Sequence, residues 1–187
     1  MNIILRLLLC LSFLTPLRAE FELKTWIEDL EKTAAQMEEM AADDGTIEIL
    51  SLYPSQLSKP PAGEGEKDAK EAPPKFHRYP ILGRAKVTDA IARKELLTEL
   101  AKSIRASIRK DGAVEAFLCF NPRHGIIYTK GDKKLELLIC FECESVHSYD
   151  GKQERPVATF SVKSSIGPDV FNAFLDKNRV ERNVPKQ

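Results

Sequence analysis

The chain has 187 residues, 43% of them hydrophobic and 30% charged, with 28 basic residues balanced by 28 acidic ones. That length suits one domain with tails, and the even charge excludes a basic nucleic-acid footprint or a polybasic membrane patch. No segment after the N-terminus approaches the roughly 18 apolar residues of a transmembrane helix, so none is expected.

Residues 1–19 read as a secretory signal peptide. Arg6 supplies the basic start, Leu7 to Leu14 is a short apolar run, and Pro16 and Ala19 precede Glu20 as a cleavage region. Cys10 could in principle carry a lipid, but Leu9 is a poor fit for the small residue expected before such a cysteine. Cleavage after Ala19 removes Arg6, Arg18 and Cys10, leaving 26 basic residues, 28 acidic residues and three cysteines. The destination, periplasmic or extracellular, is oxidising. An odd cysteine count there leaves one thiol outside any single internal disulfide.

Within residues 20–45, positions 22–44 form an amphipathic helix pattern. Leu23, Trp26, Ile27, Leu30, Ala34, Met37 and Ala41 recur at three- and four-residue spacing. Thr25 and Glu28 suit a capping box, and Gly45 is a natural stop. Asp43 and Asp44 lie at the wrong end for the helix dipole, which predicts a frayed last turn. A one-sided helix of this kind normally covers a core, so packing on the domain is expected. Thr46 to Tyr53 then reads as a strand.

From 58 to 75 the chain holds four prolines, two glycines and eight charges, with no aromatic or branched aliphatic residue. Such a segment cannot offset its ordering entropy, which predicts a disordered excursion within one domain. A strand over 81–87 follows, and Thr88 or Asp89 caps a helix predicted to run to Asp111. Its buried side carries Leu97, Leu100, Ile104 and Ile108, and its basic residues form a solvated face. Strands are predicted over 113–120, 125–130 and 134–143, with Gly131-Asp132 as a hairpin turn. A turn at Asp150-Gly151 and a strand over 157–163 come next. Gly167-Pro168 opens a last short helix with Val170, Phe171, Phe174 and Leu175 as its apolar stripe. Residues 179–187 are polar and read as a loose tail. Consecutive hairpins beside segregated helices predict a single α+β domain over 46–178, a mostly antiparallel sheet packed by two or three helices.

Chemistry concentrates in two blocks. Cys119-Phe120-Asn121-Pro122-Arg123-His124-Gly125 is followed by Cys140-Phe141-Glu142-Cys143. If Pro122-Arg123 centres one hairpin, Cys119 lies opposite Ile126. If Gly131-Asp132 centres the next, Ile139 lies opposite His124 and Cys140 opposite Arg123. Cys119, His124, Cys140 and Cys143 are therefore expected at one edge of the sheet. Together with Tyr79-Pro-Ile-Leu-Gly83 and Leu50-Ser-Leu-Tyr-Pro54, the blocks resemble an uncharacterised family of small exported bacterial proteins. The resemblance runs from about 46 to 178 outside the linker and implies an exported bacterial protein of one domain. It carries no activity and no ligand.

Three chemistries fit the corner. Three thiolates and an imidazole make a closed tetrahedral shell for a structural Zn²⁺, and Cys-x2-Cys is a usual half-site spacing. Cys140 and Cys143 point to opposite faces in a regular strand, so that shell needs a bulge. Alternatively one disulfide, Cys119 to Cys140 or to Cys143, staples the sheet edge while His124 bonds a carbonyl. Third, Cys140 and Cys143 could serve a thiol–disulfide oxidoreductase, with Cys119 or Cys140 activated by His124 and Arg123. Glu142 and Glu144 could orient His124. His77 and His147 read as isolated surface imidazoles. No phosphate loop, nucleophile elbow or paired catalytic acids appear. The expectation is an exported, non-enzymatic binding or structural module with a partner in the cell envelope, the oxidoreductase being the alternative.

Overall fold

A computed structural model describes residues 24–54, 73–108 and 119–183. The signal-peptide pattern at 1–19, most of the linker (55–72) and most of the strand expected at 113–120 lie outside these residues.

The strands are β1 (Thr46–Leu52), β2 (Lys75–Phe76), β3 (Tyr79–Lys86), β4 (His124–Lys130), β5 (Lys133–Cys140), β6 (Ser145–Tyr149) and β7 (Ala158–Ser161). Among the described residues they form one seven-stranded sheet in the order β2-β3-β1-β4-β5-β6-β7. Every neighbouring pair is antiparallel. Three helices, α1 (24–42), α2 (Ala90–Ala106) and α3 (Pro168–Lys177), complete an α+β unit. No helix among the described residues is long and apolar enough to cross a membrane.

Period-two alternation gives the sheet two different faces. On one, Ile47, Ile49, Ile126, Leu137, Ile139 and Val146 meet Leu30, Ala34, Met37 and Met40 of α1 in the main core. Leu96, Leu97, Leu100 and Ile104 of α2 join them, with Phe171 and Leu175 of α3. Each fully buried aliphatic side chain here contributes roughly 1.5–3 kcal/mol relative to exposure. The other face carries a smaller cluster, Leu50, Leu52, Phe76, Tyr79, Leu138 and Tyr149, to which no helix contributes among the described residues.

Helix ends follow their caps. Asp89 accepts from the backbone N–H groups of Ile91 (3.3 Å) and Ala92 (3.1 Å), which starts α2. That helix stops at Ala106, five residues short of Asp111. The last turn of α1 does not rest on the dipole. Asp43 follows it and accepts from Tyr128, from the Gly45 N–H and from Lys130, while Arg93 donates to the Asp43 carbonyl at 2.5 Å and to that of Gly45. Tertiary partners thus replace the expected fraying with an anchor.

Other boundaries shift for similar reasons. The linker composition extends to 75, yet Ile81 donates to the Pro74 carbonyl and Lys75 opens β2. The expected tail is tied down over 179–183: Arg182 pairs with Asp176, Arg123 reaches Asn183, and Val180 packs on the core. The predicted long strand over 134–143 ends at Cys140. Residues 141–144 form a tight turn, closed by the Glu144 N–H donating to Phe141 O at 3.1 Å, and β6 returns from it.

Candidate functional site

The second expected register holds and the first does not. His124 lies opposite Ile139. Ile126, however, pairs with Ile49 of β1 and Leu137 of β5, so Cys119 cannot be its partner. A strand remote in sequence occupies the place assigned to a local hairpin, and Cys119 and Phe120 are irregular.

That topology sorts the four corner residues. Cys140 and Cys143 are joined as a disulfide across the 141–144 turn, with Cα atoms 5.1 Å apart. The turn does what a bulge would have done, bringing both sulfurs to one side. The bond therefore links these two rather than Cys119 to either of them. Cys119 is exposed and carries a free thiol. It stays near the disulfide, because the Asn121 N–H donates to Cys143 Sγ at 3.3 Å. Two residues of chain cannot carry the Cys119 Cα farther than about 10 Å from that sulfur.

His124 is placed differently. Its register partner Ile139 belongs to the helix side of the sheet, and Cys140, one residue later, faces the other way. The imidazole is buried, 5% exposed, with ring edges against Phe141 and Phe171 at 5.5 and 5.8 Å between centroids. Its Nε2 is 3.0 Å from Asn172 Oδ1 on α3. Glu142 and Glu144 do not orient it: Glu142 pairs with Arg123 at 3.0 Å, and Glu144 holds Lys163 and Ser164. Among the described residues, no three His, Cys, Asp or Glu side chains are grouped to hold a metal ion.

The arrangement around His124 is a pocket of about 220 Å³ at the end of the sheet. Ser51 of β1, opposite His124 in register, forms one wall, and Asn172 and Pro168 of α3 form another. Asn121, Phe141 and Arg182 complete the part that matters chemically. Gly167 permits the close seat of α3: its φ is +103°, and a Cβ there would stand 2.8 Å from the Phe141 ring. Both arginines are matched. Arg123 is held by Glu142 and Asn183, and Arg182 by two contacts of 2.6 and 2.9 Å to Asp176.

Burial pushes the His124 pKa down to about 4, and the Arg182 and Arg123 charges push the same way against the Asn172 hydrogen bond. The ring is neutral at physiological pH. With Nε2–H donating to Asn172, Nδ1 keeps its lone pair, and that buried atom has no partner among the described residues. The pocket thus offers an acceptor, amide and hydroxyl groups, and little net charge. Asn172 could not be singled out from sequence, because only the docking of α3 brings it to the ring.

His77 and His147 are not isolated surface groups. His77 stacks on Tyr149 (3.7 Å) and His147 on Phe120 (3.6 Å), both on the face away from the helices. Comparison with protein-family models, with curated proteins and with solved structures finds no match to this chain.

Proposed function

We propose that this chain is an exported, non-enzymatic binding module of the cell envelope, with the His124 pocket as its ligand site. The observation that carries the reading is the buried neutral imidazole, whose Nδ1 has no partner among the described residues, beside a largely apolar pocket with a few polar groups and matched charges. A buried acceptor without a partner costs about 1–3 kcal/mol, which a ligand hydroxyl or N–H would recover. The fitting ligand is small, neutral and hydroxylated. Export is supported by the pattern of residues 1–19 and by a disulfide, which persists in oxidising compartments.

Thermal denaturation with glycerol, ribose and glucose tests the site. At least one should raise the melting temperature of the wild type and leave His124→Phe unmoved. Equal shifts in both proteins would count against the pocket.

A second reading, thiol–disulfide exchange, is favoured by one specific feature: an exposed free thiol on Cys119, whose Cα lies within about 10 Å of Cys143 Sγ. A glutathione redox titration separates the two. The binding reading expects a potential below about −300 mV, as for structural disulfides, and the exchange reading one above about −230 mV. One zinc per chain with all three thiols reduced would instead support the metal clamp.

A further inference from the structure

The face of the sheet opposite the helices holds a second cavity, of about 500 Å³, which lies in the size range of small-ligand sites. The His77-Arg78 turn between β2 and β3, strand β6 and the loop before β7 build it from three separate parts of the chain. Arg78, Arg155 and Glu154 supply its charge, while His77, His147 and Tyr149 supply its rings.

Three observations give this cavity a ligand class. First, neither guanidinium has a carboxylate partner among the described residues; Arg78 lies over the Tyr79 ring at 5.6 Å. Among the described residues Glu154 is the one acid lining the cavity, and Glu136 nearby is already held by Lys134 at 2.6 Å and by His77 Nε2 at 3.1 Å. Two positive charges against one negative leave room for a monoanion. Second, the walls are flat. His77 is stacked against Tyr149 and His147 against Phe120, so each imidazole is fixed as a plate rather than left to rotate. Burial lowers the pKa of both, against the opposing pull of Glu136 on His77, which favours the uncharged rings that pack on an apolar one. Third, His77 has a φ of +52°, a conformation that glycine adopts far more readily. A histidine held there, at a turn that glycine would close with less strain, points to a use for the ring.

We propose that this cavity binds a small aromatic carboxylate, its carboxylate between Arg78 and Arg155 and its ring against His77 and His147. This goes beyond the His124 pocket, which lies on the opposite face and takes neutral ligands, so either site can fail alone.

The test uses benzoate as probe, followed through the ring-proton NMR signals of His77 and His147 in the full mature chain. Benzoate should bind saturably and on the order of tenfold more tightly than benzamide, which keeps the ring and loses the charge. Acetate, which keeps the charge and loses the ring, should also be on the order of tenfold weaker. Arg78→Ala and Arg155→Ala should each weaken benzoate without disturbing the fold, since both side chains are exposed. His77→Gly should keep the turn and lose the ring's share of affinity. Benzamide or acetate binding as well as benzoate would overturn the proposal. So would full affinity in the Arg78/Arg155 double variant, or no saturable binding at any soluble concentration.

Discussion

At the scale of single residues, His124 decides how the corner behaves. Its burial and its two arginine neighbours hold the folded pKa near 4, against 6.5 for the free group. The unfolded chain therefore takes up a proton first as the pH falls. Stability from this residue is complete above about pH 6.5, declines as the pH drops towards 4, and changes little below that. The total loss is about 3 kcal/mol for a shift of this size in a fully buried group. Urea denaturation from pH 7.5 to 4 should show that slope in the wild type and a clearly flatter one in His124→Gln. Parallel slopes would mean that the ring is protonated in the folded protein. The two cysteine-bearing blocks and the pairing of His124 with Ile139 were legible in the sequence, because turn signals set local register. Asn172 was not, since nothing in residues 168–177 marks an asparagine that will meet a histidine 48 positions earlier.

At the scale of elements, the ends of the helices carry most of the information that sequence patterns miss. The apolar stripe of α1 was readable from its spacing, and its burial on the main core follows from it. The role of Asp43 was not, because its partners Arg93, Tyr128 and Lys130 come from three other elements. Burial works against its charge, yet hydrogen bonds from Tyr128, Gly45 and Lys130 outweigh burial and hold its carboxyl below the usual range. Asp43→Asn should loosen the α1 junction and cost about 1–2 kcal/mol of stability, measured by chemical denaturation. Gly167 makes the same point for α3. Alanine there must adopt a positive φ and push against Phe141, so Gly167→Ala should destabilise by about 2 kcal/mol and disturb the His124 ring signals. A neutral effect would show that α3 can move away without consequence. Strand β6 escaped the sequence reading because the predicted strand ran through Cys143, whereas the chain reverses at 141–144.

At the scale of the whole molecule, the antiparallel α+β plan was available from the succession of hairpins and helices. The central place of β1 between β3 and β4 was only partly so. Its pairing with β4 takes the place of the local hairpin expected around Pro122-Arg123, and with it of the pairing of Cys119 with Ile126. What remains is a sheet with chemistry divided between its faces: His124 and its pocket on the helix side, the imidazole–tyrosine cavity on the other. The disulfide closes a loop of only four residues, so its chain-entropy contribution is about 2 kcal/mol. Replacing both Cys140 and Cys143 by serine should lower stability by that amount and leave the protein folded, as read by its circular dichroism.

The most direct measurement is a peptide map of residues 20–187 produced in an oxidising compartment and alkylated before any reduction, with metal content determined on the same sample. The expected result is label on Cys119 alone, Cys140 and Cys143 recovered as one linked peptide, and no stoichiometric metal. Label on all three cysteines after chelation, with one zinc released per chain, would contradict it.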